Sequence, residues 1–144
     1  MYILDGYRPD DVTELWAIEQ ECFPRGLRWN AKQFKGVLKS SLVWVAYEGP
    51  FNYYPVGFLV SWVDRGTPHI ASIGVRKAHR GQGIATRLIQ KAEEFYGREH
   101  DAINLNVRAE NPAQQLYFRL GYRTCGFRKG ILKMQKDLSP REGR

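Results

Sequence analysis

The stretch "VRKAHRGQGIATRL", Val75 to Leu88, limits the architecture more than any other part of the chain. A short apolar run, "SIGV", leads through a glycine-containing turn straight into the most periodic segment of the sequence. Ile84, Ala85, Leu88, Ile89, Ala92, Phe95 and Tyr96 recur at helical spacing, while Arg87, Lys91, Glu94 and Arg98 lie off that stripe. Strand, tight turn and helix in this order predict a sheet covered by helices. Glycine weakens helices, so Gly81 and Gly83 at a helix start need a reason. Two are open: an ordinary strand-to-helix turn in a basic surface, or a turn that brings backbone N–H groups against an anion. The first N–H groups of a helix have no intrahelical partner and carry roughly half a positive charge from the helix dipole. Glycine lets a phosphate approach the backbone closely, and Arg80 can add charge-assisted hydrogen bonds. Arg76, Lys77 and His79 make the approach more positive.

The remaining elements follow from period and punctuation. A strand is expected around Met1 to Tyr7, then a helix capped by Asp10, carrying Leu15 and Ile18 and ending near Pro24. Asn30 caps a second helix with Phe34, Val37 and Leu38 on one face. "LVWVAYEG" and "YYPVGFLVSWVD" read as strands separated by a turn at Gly49 to Asn52, and "DRGTP" turns into the strand "HIASIGV". After the periodic helix, "AINLNVR" alternates: Ile103, Leu105 and Val107 face one way, Asn104, Asn106 and Arg108 the other. Asn111 and Pro112 start a last helix that runs to Leu120 and stops at Gly121. Arg123 to Phe127 and Ile131 to Lys136 form a hairpin turning at "RKG". The order is β-α-α-β-β-β-α-β-α-β-β: an α/β (α+β) domain with a mixed central sheet of about six or seven strands and four helices.

A length of 144 residues suits one domain, expected over residues 1–138, with "SPREGR" (139–144) a disordered tail. The net charge of +7 favours anionic partners: phosphorylated cofactors, acidic peptides or nucleic acid. The sequence has no run of six like charges and no RNP or zinc-finger pattern, which argues against a dedicated nucleic-acid module; no metal is expected. Cys22 and Cys125 match no CxxC pattern and read as free thiols, with Cys125 expected to pack on a late strand. With neither a signal-peptide pattern nor a membrane-spanning apolar run, a soluble cytoplasmic protein is expected, as a monomer or dimer and with no membrane partner.

Two glycine motifs can be tested against the turn. A P-loop needs GxxxxGK[ST], and no lysine follows Gly83 at the required place. A dinucleotide fingerprint needs GxGxxG; the third glycine is missing, although Asp101 stands near the distance of its acidic partner. By contrast, Arg80-Gly81-Gln82-Gly83-Ile84-Ala85 resembles the R/Q-x-x-G-x-G/A signature of the GNAT superfamily of N-acetyltransferases. "SIGV" is similar to that family's fourth strand, and "LNVRAENPAQQLYFRLGY" to its fifth strand and fourth helix. "IEQECFP", the later "RW" and "PHIASIGVRKAHRGQGIATRLI" resemble the branch that acetylates ribosomal-protein and other protein N-termini. The likeness runs nearly to Leu138.

The resemblance implies a V-shaped opening between the strands ending at Val75 and Arg108, with acetyl-CoA as co-substrate lying in it. Backbone groups of Ile73, Gly74 and Val75 would pair with the pantetheine arm. Arg80 and the N–H groups of Gly81, Gln82, Gly83, Ile84, Ala85 and Thr86 would hold the pyrophosphate. Asn111 would contact the cofactor, and Tyr117 would be the acid that protonates the leaving sulfur. At the second position of "LxVR", where relatives often have Glu or His, this chain has Asn106, which takes no proton at neutral pH but faces the cleft side. His69 offers an imidazole as substitute base, with Glu19 and Glu21 as further candidates that otherwise read as a solvated helix face. An α-amine of pKa near ~8 loses its proton at pH 7 for about 1.4 kcal/mol, a lysine amine near ~10.4 for roughly 4.6 kcal/mol. Loss of a carboxylate base therefore favours a peptide or protein α-amine as acceptor. The alternatives are a small-molecule amine or a non-catalytic acyl-CoA-binding module.

Overall fold

A computed structural model describes residues 2–24, 26, 29–49 and 53–138. Its elements are β1 (Tyr2–Asp5), α1 (Val12–Cys22), α2 (Ala31–Ser40), β2 (Leu42–Glu48), β3 (Tyr54–Asp64), β4 (Thr67–Val75), α3 (Ile84–Tyr96), β5 (Ala102–Arg108), α4 (Ala113–Arg119), β6 (Arg123–Arg128) and β7 (Ile131–Asp137). Short 3-10 turns at Pro9–Asp11 and Lys77–His79 precede α1 and α3. The element order is the expected one, and the seven strands form one mixed sheet in the order β1-β2-β3-β4-β5-β7-β6. The predicted turn after Gly49 and the predicted tail at 139–144 fall on residues outside those described.

The chain divides into two compact units, Met1–Ser61 with Ser72–Ile89 and Trp62–Ala71 with Gln90–Arg144. In the first unit, β2 and β3 are buried as continuous runs, Val43 to Tyr47 and Val56 to Val60, because apolar groups cover both faces. Leu15 and Ile18 of α1 and Phe34 and Leu38 of α2 complete this core, with Phe34 edge-on to Phe58 at 5.7 Å. α1 packs closely on β4: a Cβ at Gly74 would lie 3.1 Å from Cys22 Sγ and from the Phe58 ring.

Local chemistry fixes the helix starts here, though not always as expected. Asn30 caps α2 as predicted, its Oδ1 accepting from Gln33 N at 2.8 Å while its own N–H donates to Gln33 Oε1. Asp10 does not cap α1. It lies in the 3-10 turn, and the neighbouring Asp11 accepts from Arg8 N at 3.2 Å and from the Tyr47 hydroxyl at 2.6 Å.

The second unit has its core on the face of β5 that carries Ile103, Leu105 and Val107, joined by Ile70, Ala92, Tyr96, Tyr117, Tyr122 and Met134. β7 pairs antiparallel with both β5 and β6, so the hairpin's second strand, not its first, lies next to β5. The hairpin turns at Lys129 and Gly130, both with positive φ (52° and 79°), which matches the twist of a two-residue connection. β6 is the sheet edge, and this corrects one expectation: Cys125 is exposed rather than packed. Phe95, expected on the apolar stripe of α3, is also exposed. At 100° per residue it stands beside the stripe, and its ring lies edge-on to Tyr96 at 5.2 Å.

Candidate functional site

In the first unit the turn before α3 has the form an anion needs. Gly81 and Gly83 both take φ of 80°, a left-handed conformation that costs any other L-residue, and all three residues from Gly81 to Gly83 are exposed. A Cβ at either glycine would meet nothing within 4 Å, so it is backbone conformation, not crowding, that requires glycine there. Arg87 N is the first amide to bond back, to Gly83 O at 3.1 Å. The N–H groups of Ile84, Ala85 and Thr86 therefore begin the helix without an intrahelical acceptor.

Arg80 serves this turn differently from expectation. Its Nε donates to Val75 O at 3.0 Å and its Nη2 to Cys22 Sγ at 3.4 Å, so the guanidinium ties the turn to the end of β4 and to α1 while other N–H groups stay available. The surroundings are also less positive than the sequence suggests. Arg76 meets Glu14 at 2.5 Å, His79 meets Glu48 at 3.3 Å, and the Lys77 backbone N–H donates to Glu21. Ile73, Gly74 and Val75 lie on the last residues of β4; Gly74 and Val75 are buried, and Val75 O is taken by Arg80 and Cys22.

Glu19 overturns its reading as a solvated face. Its side chain is buried in this unit, accepting from Trp29 N at 3.1 Å and from the Ser72 hydroxyl at 3.4 Å. It links α1, the segment ahead of α2, and β4. Sequence spacing does not signal this, because its partners stand 10 and 53 residues away. Glu21 is occupied by the Lys77 amide.

The second unit holds the remaining candidates. Tyr117 is buried on α4 with 7% of its surface exposed, edge-on to Tyr122 at 6.2 Å, and burial pushes its phenol up to about 12. Tyr122 in turn donates to Glu93 Oε2 at 2.8 Å, and Lys136 meets Glu93 Oε1 at 2.9 Å. Asn111 is exposed one residue ahead of the Pro112 cap of α4, and its Oδ1 accepts from Ala113 N at 2.9 Å, so it holds the helix start from just outside rather than as the N-cap expected.

The ladder between β4 and β5 pairs His69 with Asn104 and Ile70 with Leu105. That register sets His69 Nδ1 2.6 Å from Asn104 Oδ1. With the Asn104 amide in this orientation its oxygen accepts, so the tautomer that fits the pair has its N–H at Nδ1 and turns Nε2 away from Asn104. Asn104 thus orients the imidazole, a role no local pattern announced. Asn106, one step along the same face, is exposed beside an open depression of about 540 Å³ that also borders Phe127, Arg128, Lys129, Ile131 and Lys133.

Comparisons with known proteins agree with the fold. A family model described as the acetyltransferase (GNAT) family matches residues 10–122. Over 85 residues the chain is 39% identical to an uncharacterized N-acetyltransferase of Methanocaldococcus jannaschii, a match covering 57% of this chain and 53% of that protein. Over 121 residues it is 31% identical to the N-terminal acetyltransferase complex ARD1 subunit homolog of Dictyostelium discoideum, covering 74% of this chain and 55% of that one. The chain spans little more than half the length of these two relatives. Among solved structures, the ribosomal-protein-S18-alanine N-acetyltransferase of Escherichia coli superposes with a TM-score of 0.82 at 19% identity, covering 100% of this chain and 98% of that one, a likeness of fold. With residues 10–122 of 144 under one family model, the chain belongs to the GNAT family of acetyltransferases.

Proposed function

We propose that this chain transfers the acetyl group of acetyl-CoA to a primary amine, and that the acceptor is the α-amine of a peptide or protein N-terminus. The observation that carries the donor is the turn at Arg80–Thr86: two left-handed glycines open α3 and leave its first amides to a pyrophosphate. Ile73, Gly74 and the N–H of Val75, whose carbonyl Arg80 and Cys22 already occupy, offer strand backbone to the pantetheine arm, and Asn111 offers a polar side chain to the cofactor. When bound, acetyl-CoA supplies an activated thioester. The amine nitrogen attacks its carbonyl carbon, the C–N bond forms, the C–S bond breaks, and the electron pair leaves on sulfur. His69 Nε2 receives the proton lost by nitrogen, and the Tyr117 hydroxyl donates to the developing thiolate.

An acceptor α-amine is supported by the absence of a carboxylate at Asn106 and by the lower cost of neutralising such an amine. Cys22 and Cys125, both free thiols, support a reducing, cytoplasmic setting. No described helix is long and apolar enough to cross a membrane.

The test has two stages. Isothermal titration should give saturable acetyl-CoA binding, and absence of binding below millimolar concentration would sink the donor reading. A thiol-release assay across N-terminal peptides, lysine peptides and small amines should then give turnover with free α-amines. Turnover confined to small amines would replace the acceptor, and binding without turnover would make the chain an acyl-CoA-binding module.

A further inference from the structure

We infer that the acceptor of this chain carries a carboxylate within its second to fourth residues, and that Lys133, Arg128 and Lys129 read it. The inference rests on the peptide α-amine reading above and adds the chemistry of the rest of the acceptor. It starts from strand register. Residues directly opposite in a ladder share a face of the sheet, as do alternate residues of one strand. His69 is opposite Asn104, Asn106 opposite Lys133, Lys133 opposite Gly126, and Ile131 opposite Arg128. The imidazole held by Asn104 therefore stands on the same face of β4, β5, β7 and β6 as Lys133 and Arg128, with Lys129 in the turn beside them.

The hairpin end of that face is concave. The depression of about 540 Å³ is bordered by Asn106, Phe127, Arg128, Lys129, Ile131 and Lys133, which gives it apolar surface and three positive charges. Its size is that of a ligand site. Arg128, Lys129 and Lys133 are all exposed, and among the described residues none of the three takes part in an ion pair. The nearby carboxylate of Glu110 is already held by Arg108 at 2.6 Å, which lowers its carboxyl below the usual range. Three cations around one concavity with no internal partner repel one another, and an anion that enters relieves this.

Distance along the sheet sets which residue of the acceptor is read. Strand spacing of about 4.8 Å and a rise of about 3.3 Å per residue put the Cα of Lys133 about 12 Å from that of His69. An extended peptide covers that in three to four residues, and a long lysine side chain shortens it. A peptide with its amine at His69 therefore brings its second to fourth side chains over the depression. Bidentate pairing makes Arg128 the most selective for a carboxylate, while the lysines contribute charge.

The experiment uses the whole chain and peptides that share one first residue and carry Glu, Gln or Lys at positions two to four. With acetyl-CoA saturating, kcat/KM should rank Glu above Gln above Lys, with about a tenfold step between neighbours. Lys133→Glu should reverse the Glu-to-Lys ranking, and Arg128→Glu should do the same should the first variant fail a thermal-unfolding check. Equal rates across the set, or a ranking that both variants leave intact, overturn the inference while the α-amine reading stands. A rise in the Kd of acetyl-CoA in Lys133→Glu would assign the cations to the donor and overturn it. So would a single-stranded oligonucleotide that inhibits the native chain and not the variant. No turnover of any peptide removes the α-amine reading and this inference with it.

Discussion

Tyr117 is caught between two demands, and burial decides how it meets them. A phenol pushed up to about 12 from an ordinary value of 10.0 is protonated throughout the neutral range, so it is a donor and never a base there. It is also a weaker acid than a thiol of ordinary pKa near ~8.5, so full transfer to sulfur runs uphill unless it accompanies C–S cleavage. Its contribution is then a hydrogen bond that strengthens as negative charge develops on sulfur. Tyr117→Phe should lower kcat about a hundredfold and leave the Kd of acetyl-CoA within about twofold; unchanged kcat would remove the tyrosine from the chemistry. The same burial has a stability consequence whose sign is fixed. The folded value lies above the unfolded one, so the stabilisation is complete below pH 10 and lost as pH rises from there through about 12. That loss is on the order of 3 kcal/mol. Tyr47 and Tyr122 are shifted in the same direction, with burial as the first cause. Urea titrations between these pH values should show a steep fall in stability, with a shallower fall in Tyr117→Phe. An equal slope in both proteins would mean that the phenol ionises freely.

Elements are where the sequence was most readable, and the turn before α3 shows why. Everything that makes it is local: an apolar strand end, two glycines, and a helix of 3.6-residue period, all within Val75 to Leu88. The same holds for the Asn30 cap, the alternation of β5 and the Asn111 start, whose partners lie within three residues. What stayed hidden is non-local. The partnership of His69 with Asn104 depends on a parallel register across 35 residues, and the meeting of Asn106 with Lys133 depends on β7 inserting beside β5. Cys125 departs from the sequence expectation because an edge strand and an interior strand have the same local pattern until sheet order is known. The glycine turn gives this scale its own prediction. Gly83→Ala places a side chain at φ 80°, at a cost of roughly 1–2 kcal/mol, without steric contact inside the protein. The added methyl stands where a phosphate would come closest, so the KM for acetyl-CoA should rise at least about tenfold while kcat at saturation holds. A variant that loses stability but keeps its KM would mean that the turn is only a turn.

At the scale of the molecule, the excess of cations acts on both substrates at once. The net charge is +7, and the ion pairs present, such as Arg76 with Glu14 and Lys136 with Glu93, each join one acid to one base and leave that surplus unchanged. Coenzyme A derivatives carry phosphate charge, and the inferred acceptor carries carboxylate, so both are drawn to the same protein field. A positive field discriminates against polyamines and other cationic small amines before any contact forms, which is a further physical reason to prefer a peptide α-amine. The field also predicts how salt should act. The Debye length falls from roughly 14 Å at about 0.05 M to roughly 4 Å at about 0.5 M ionic strength, so long-range attraction is lost while hydrogen bonds at the glycine turn persist. Raising salt over that range should lower kcat/KM for acetyl-CoA severalfold through KM, with kcat little changed. The loss should be steeper for the Glu-bearing acceptor than for the Gln-bearing one. A fall in kcat with constant KM would instead mean that salt perturbs the fold or the chemical step. A flat response in all three quantities would mean that contact geometry alone, and not the surplus of cations, recruits both substrates.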